Sequence, residues 1–459
     1  MKDIIIRSLV HLLKIFSILI LLPLIFSNVK IASAKQRHII TDAEIQSYLE
    51  DLTKPLLKAA GISTSDVKLH ILADASLNAF VSGGRNIFLH TGLLMNTVTP
   101  GQLRGVLAHE IGHIAGGHLI RTSEVARKAS NVAMVSSILS ATAIVLTGKG
   151  EAATALFGNG QNIARQVFLR HSRAQESAAD NAAARYLRLT KQNPKGLLDF
   201  LKILKKNEAM STVLQSPYFR THPLTKDRIA FFEHQIAIHP NNASEYSSIM
   251  ANRHKRMIAK LFGFLKPPSK TFKRYQKNMD SIVSKYAYAI AFHKKANTAE
   301  ALSLLDELLS IGSKDPYFWE LKGQVLFESA EPNEARVAYQ KALNLGKHIP
   351  LIREQLARVE LAIGTPNMNL SALKHSQISV QAMPTSTLSW HNLAIAQGRT
   401  GDVAMANLSL AEEALLQNRI KMAILYANRA QKLLQSNTPS YQRSKDIIEL
   451  AQRISKRKK

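Results

Sequence analysis

A chain of 459 residues is longer than one hydrophobic core usually organises, so two or three domains are expected. It contains no cysteine, which excludes disulfides, thiolate metal ligands and cysteine nucleophiles, and leaves His, Asp and Glu to hold any metal. Lys and Arg number 60 against 33 acids, a formal charge of +27. No RNA-binding aromatic pattern or zinc-finger spacing accompanies that charge, so it reads as solvated helix faces; if the chain is exported, an anionic envelope surface is a better partner than nucleic acid.

Lys2, Arg7 and Lys14 precede an apolar run from Ile15 to Phe26, interrupted only by Ser17 and Pro23. Ala32-Ser33-Ala34 then supplies a small-x-small cleavage site. The expectation is a signal peptide over residues 1–34, with Lys35 as the mature start; an uncleaved anchor is the alternative. No Cys follows the apolar run, so a lipoprotein is excluded. Over residues 40–60, Ile45, Tyr48, Leu49, Leu52 and Leu56 recur at helical spacing. Val67–Leu72, Asn78–Val81 and Asn86–His90 have β character, with a turn at Ser82-Gly83-Gly84-Arg85, and predict a small antiparallel sheet.

A long helix should follow. Thr99 suits an N-cap, Pro100 the first helical position, and Gln102 completes a Thr-x-x-Gln capping box. Residues 131–147 are small and apolar and predict a helical hairpin, buried or brushing a membrane, with its turn at Gly148, Lys149 and Gly150. Residues 253–277 hold no acid and many bases around Pro267-Pro268, which reads as an interdomain linker, placed at 266–280. Beyond it the chain repeats. Gly323, Ala335, Tyr339 and Ala342 match Ala289, Ala301, Leu305 and Leu308 at an offset of 34. Trp390, Ala394, Ala406 and Leu410, then Ala411, Ala423, Ala427 and Ala430, echo them. Small residues at a 34-residue period mark crossing points of paired helices and resemble tetratricopeptide repeats.

His109-Glu110-Ile111-Gly112-His113 is an H-E-x-x-H motif inside the capped helix. Two His four apart differ by only about 40° around a helix, so both imidazoles reach one ion. Glu110 lies beside that face and can hold a water without being a ligand. A third ligand is needed. His118 is about 180° from His109 and should face away unless Gly116-Gly117 breaks the helix. Glu176, in Ser172-Arg173-Ala174-Gln175-Glu176-Ser177-Ala178-Ala179-Asp180, is the better candidate. Asp180 lies one turn on and can grip the far nitrogen of a ligand His. Ala178 and Ala179 permit close helix packing.

H-E-x-x-H followed by S-R-x-x-E-x-x-A-D resembles the M48 (HtpX-like) metallopeptidases, in particular their periplasmic members with C-terminal helical repeats. Asn78-Ala79-Phe80 with Gly83-Gly84, Thr221-His222-Pro223 with Arg228, and Met257–Leu265 resemble further family segments. The resemblance implies an α+β zincin-like metallopeptidase domain over 35–265, mainly helical with a small antiparallel sheet. An all-α tetratricopeptide-like solenoid would follow over 281–459. It implies one zinc ion per chain on His109, His113 and Glu176, with Glu110 as general base. His222 would either close over the zinc as a fourth ligand or stabilise the oxyanion. Arg228 would orient a substrate or a carboxylate. The sheet edge at Asn78, Ala79, Phe80 and Val81 could bind substrate by strand addition.

By the same resemblance the substrates are misfolded or stalled outer-membrane proteins in the periplasm, and the repeats bind the outer-membrane assembly machinery or clients. Residues 131–164 would act as a lid or make a peripheral membrane contact. Two rivals stand beside this reading: a periplasmic chaperone or scaffold with a latent peptidase site, and a membrane-anchored peptidase.

Overall fold

The computed structural model describes residues 38–459 except 123, 126, 128–129, 132–133, 135–149, 211–221, 224–225, 240–245, 347–348 and 458–459. Side chains of residues 150–168, 170, 207–210 and 457 are also left out. The expected signal peptide and most of the apolar 131–147 stretch therefore lie outside the described residues. No helix among the described residues is long and apolar enough to cross a membrane.

Helix α1 (Ala43–Ala60) starts on Asp42, whose carboxylate accepts from the Ile45 amide, and ends on left-handed Gly61. Its apolar stripe, Ile45, Tyr48, Leu49, Leu52 and Leu56, is buried in the core of the first half. The sheet comprises β1 (Ile39–Ile40), β2 (Lys68–Leu72), β3 (Ala79–Ser82) and β4 (Asn86–His90) in the order β1-β2-β4-β3. It is mixed, not antiparallel as expected: β2 and β4 pair in parallel, while β1–β2 and β3–β4 are antiparallel. The reason lies in the loop between β2 and β3. Asp74 O accepts from Gly92 N (2.8 Å) and Thr91 Oγ1 (2.9 Å), and Asn78 O accepts from His90 N (3.0 Å). These bonds carry the chain across the end of β4, so β3 lands on its far side. The more apolar β2 and β4 take the centre, and half-exposed β3 takes the edge.

After α2 (Thr91–Asn96), helix α3 (Pro100–Ala115) begins as expected on Thr99, whose side chain accepts from Gln102 N, while Gln102 Oε1 accepts from Val98 N (2.5 Å). Every residue from Pro100 to Gly112 is buried. Packed on α3 are α4 (Gly150–Leu189) and α5 (Lys195–Met210). Helix α6 (Lys226–Ile238) follows, and α7 (Ser248–Leu265) closes the first half, with Met257 and Leu261 in its core.

One residue of α7 ties three elements together. His254 is fully buried, with Nδ1 2.8 Å from Tyr48 Oη and Nε2 2.9 Å from Thr97 O. A carbonyl can only accept, so Nε2 carries the proton and Nδ1 accepts from the tyrosine; a second proton has no place. Burial pushes the pKa down from 6.5 to about 4, against the pull of the Thr97 carbonyl. Well above pH 6.5 the residue is neutral in both states and its contribution is complete. As the pH falls toward 4, the unfolded chain takes up a proton that the folded chain refuses, and stability is lost. The urea midpoint should fall between about pH 7 and about pH 5 by the equivalent of about 2 kcal/mol more in the native protein than in His254→Gln. Equal pH slopes in the two proteins would refute this.

The stretch 266–280, expected as a linker, contains helix α8 (Pro268–Tyr275) and a 3-10 turn at Gln276–Asn278. Pro268 sits at the start of α8, where its missing amide costs nothing. Phe272 packs on Tyr288 and Phe292 of α9 (Ile282–Lys294). From α9 the chain runs as helix pairs. They are α9 with α10 (Thr298–Ile311), α11 (Pro316–Glu328) with α12 (Pro332–Leu345), α13 (Pro350–Ile363) with α14 (Pro366–Ala382), α15 (Thr387–Arg399) with α16 (Val403–Leu416), and α17 (Ile420–Leu433) with α18 (Pro439–Arg457). The small residues of the 34-residue period, among them Ala289, Ala301, Ala335, Ala342, Ala394, Ala406, Ala411, Ala423, Ala427 and Ala430, are buried where helices meet. The second half is a tetratricopeptide-like solenoid of stacked helix pairs.

The two halves share buried surface. Ala43 of α1 lies in the same cluster as Leu326, Tyr339 and Leu356 of the repeats. Beside it, Lys260 of α7 reaches Asp42 (2.7 Å), Glu320 (3.3 Å) and Glu44 (3.5 Å). Arg256 pairs with Glu44 (2.7 Å) and with Asp315, and Tyr286 Oη donates to Glu44 (2.7 Å).

Candidate active site

The H-E-x-x-H motif lies on the last two turns of α3, and Glu176 on α4. What brings the helices together is contact between Gly112 and Ala179: a Cβ on Gly112 would stand 2.8 Å from Ala179 O and 3.1 Å from its Cα. The motif's own glycine thus admits the neighbouring backbone, and Ala179 is the small residue facing it. Ala178, expected to share that role, is exposed.

At this crossing His109, His113, Glu176 and His222 each offer a ligand atom, and the four atoms lie within 4.8 Å of one another. His109 Nε2 is 3.1 Å from His113 Nε2, 3.3 Å from Glu176 Oε2 and 3.3 Å from His222 Nδ1. His113 Nε2 is 3.3 Å and His222 Nδ1 3.0 Å from Glu176 Oε1. Two unprotonated imidazole nitrogens at such a distance repel unless a cation or a proton lies between them. Donor bonds of about 2.0–2.1 Å in a tetrahedron imply donor–donor separations of about 3.3 Å, close to those found here. Three imidazoles and one carboxylate, with no thiolate, are also a donor set suited to a borderline divalent ion. The residues therefore fit a metal.

Behind the donors stands a second set of contacts. His109 Nδ1 is 2.9 Å from Asp180 Oδ1. Arg228 spans Asp180 in two-pronged fashion, Nε to Oδ2 at 2.7 Å and Nη2 to Oδ1 at 2.9 Å, and its Nη1 lies 3.0 Å from Glu176 Oε2. Arg228 is buried, so it orients the protein's own carboxylates. Burial raises the Asp180 pKa, but Arg228 and His109 outweigh it and hold the carboxyl below its usual range. Glu176 is held well below its usual range in the same way, against burial, by His222 and His109. For His109 burial disfavours the charge, yet Glu176 and Asp180 overcome it and lift the imidazole to about 9. Burial depresses His113 to about 3.

Glu110 is fully buried, and neither carboxylate oxygen has a hydrogen bond among the described residues; His222 Nε2 lies 3.5 Å from Oε1. Burial raises its pKa. A carboxylate held this way is a stronger base than one in water.

The edge segment sits near this machinery. Asn78 is buried just before β3, and Ala79, Phe80 and Val81 lie in β3, which packs on α3. The edge of β3 away from β4 pairs with no strand among the described residues. His118 is the residue that sequence reasoning set aside and the structure places beside the site. Helix α3 stops at Ala115, Gly117 adopts a left-handed φ of 61°, and the reversal swings His118 onto His113. The glycine pair was the available signal. Residues 135–149, part of the expected lid or hairpin, lie outside the described residues.

Residues 41–236 match the family model described as peptidase family M48. The beta-barrel assembly-enhancing protease of Yersinia pestis is 23% identical over 392 residues, covering 84% of this chain and 79% of that protein. The protein of that name from Escherichia coli (strain K12) is 27% identical over 195 residues, 42% of this chain; the match spans only 39% of its own length. Among solved structures, one titled YrrB, a TPR protein with an unusual peptide-binding site, covers 38% of this chain and 91% of its own at 18% identity and a TM-score of 0.32.

Proposed function

Residues 41–236 belong to peptidase family M48, and on that premise we propose that the chain is a zinc-dependent endopeptidase whose ion is held by His109, His113 and Glu176. The observation that carries this is the convergence of three imidazole nitrogens and one carboxylate from three separate segments onto one point. Zinc bound there would supply a Lewis acid that polarises a peptide carbonyl and acidifies a water. Glu110 accepts the proton of the attacking water and returns it to the leaving amine; its buried, unsatisfied oxygens and raised pKa suit both steps. Asp180, clamped by Arg228, holds the His109 ring in the tautomer that leaves Nε2 free to bind.

His222 has two roles open to it, and the arrangement described favours the first. Its Nδ1 stands among the donors and its Nε2 points toward Glu110, so it completes the donor set. Substrate entry then requires His222 to withdraw, after which it could serve the developing oxyanion. The open edge of β3 would align the substrate backbone by strand addition.

The relatives' name supports a role in outer-membrane protein assembly. In our reading the chain is exported to the periplasm, cleaves unfolded or stalled outer-membrane proteins, and uses its solenoid to hold them or the assembly machinery. The test is metal content. The purified mature protein should carry about one zinc per chain, and Glu176→Gln much less, as loss of the one carboxylate donor implies. Substoichiometric zinc in the native protein, or full zinc in the variant, would overturn the ligand assignment.

A further inference from the structure

The two histidines of the motif are gripped differently on their outward nitrogens. His109 Nδ1 faces a carboxylate, Asp180, at 2.9 Å. His113 Nδ1 faces another imidazole: His118 Nδ1 lies 2.9 Å away, with the rings edge to face at 80° and centroids 4.9 Å apart. His118 is buried, and its position is set from behind. Its carbonyl accepts from Gln175 Nε2 (3.0 Å), and Thr122 Oγ1 lies 2.8 Å from both that carbonyl and Gln175 Oε1. Gln175 immediately precedes Glu176, so the segment carrying the carboxylate donor also anchors the residue behind His113.

We propose that His118 is a positioning residue: it holds the His113 ring by accepting a hydrogen bond from Nδ1, so that Nε2 is presented to the metal. The inference rests on the metal reading above. His113 Nε2 is turned inward, 3.1 Å from His109 Nε2 and 3.3 Å from Glu176. If that nitrogen gives its lone pair to an ion, the ring's one proton must sit on Nδ1. His118 Nδ1 is then the acceptor, and the His118 proton sits on Nε2. Ligand histidines ordinarily give this proton to a carboxylate, a carbonyl or a water. A neutral imidazole accepts it with less charge, so His113 is the weaker-held partner of His109.

Zinc affinity, measured by competition with a chromophoric chelator, tests this, together with the visible spectrum of the cobalt-substituted protein. His118→Phe keeps a ring but removes the acceptor and should weaken zinc binding about 10–100-fold, with an altered cobalt spectrum. His118→Asn places Oδ1 where Nδ1 stood and should bind near the native level. A merely structural role would not be rescued this way. Gly116→Ala provides a route if His118→Phe does not fold. The backbone there is right-handed, but the added Cβ would meet His118 Nε2 at 2.2 Å and displace the ring, so zinc binding should weaken as well. Native-level zinc binding and an unchanged cobalt spectrum in His118→Phe and Gly116→Ala would overturn the proposal. So would a His118→Asn protein as weak as His118→Phe. A native protein that binds no zinc would overturn the metal reading itself, which is a distinguishable outcome.

Discussion

Glu110→Gln should lower the rate of cleavage of an unfolded protein substrate by about 10²–10⁴-fold, while leaving zinc content at the native level. The two parts of this result belong together. Glu110 lies beside the donor cluster but contributes no atom to it, so the ion should remain. Its carboxylate is buried with neither oxygen hydrogen-bonded among the described residues, and burial raises its pKa. An amide of the same shape fills the space but cannot take a proton at neutral pH. Proteolysis by timed gel assay and zinc by mass spectrometry separate the outcomes. Loss of activity with loss of zinc would make Glu110 a structural part of the metal site. Activity retained would remove it from the mechanism. The same variant weighs the scaffold reading, since full rescue of a deletion strain by Glu110→Gln would move the cellular function to the repeats.

Lys260→Met should destabilise the molecule by about 3–5 kcal/mol, the cost of leaving buried charge uncompensated. Lys260 is buried at the junction of the two halves and reaches Asp42, Glu44 and Glu320. Burial alone would strip its proton, yet Asp42 and Glu320 keep its pKa well above the ordinary value. The dependence is mutual: burial pushes Glu320 up to about 7 even with the lysine present. Remove the lysine, and Arg256 is left to balance the group through Glu44 and Asp315. Trp319 sits next to Glu320 in α11, so its fluorescence reports on the junction during urea unfolding. A change below about 1 kcal/mol, the level of a surface pair, would show that the cluster is solvated and does not join the halves.

Much of the site was legible because its logic is local. The 40° offset of His109 and His113 follows from helix geometry alone, and the start of α3 was written in Thr99, Pro100 and Gln102. Small residues at a 34-residue period sufficed for the solenoid, because paired helices crowd at the same positions in every repeat. Glu176 and Asp180, one turn apart, announced a face with two carboxylates. What that face meets was another matter. Arg228, expected to orient either a substrate or a carboxylate, takes the second role and grips Asp180 across 48 positions of chain. His118, set aside because an unbroken helix would turn it away, comes back through the left-handed Gly117.

Residue types at fixed helical spacings by themselves determined the His pair, the cap and the repeat period, since each depends on neighbours within a turn or two. Tertiary structure alone decided the strand order, the arginine clamp, the His113–His118 contact and the charge cluster between the halves. Those arise where segments distant in sequence meet, as Tyr286 meets Glu44 across 242 positions. Spacing along a chain carries no record of such meetings, because they are selected by burial and by the need to satisfy every buried polar group at once.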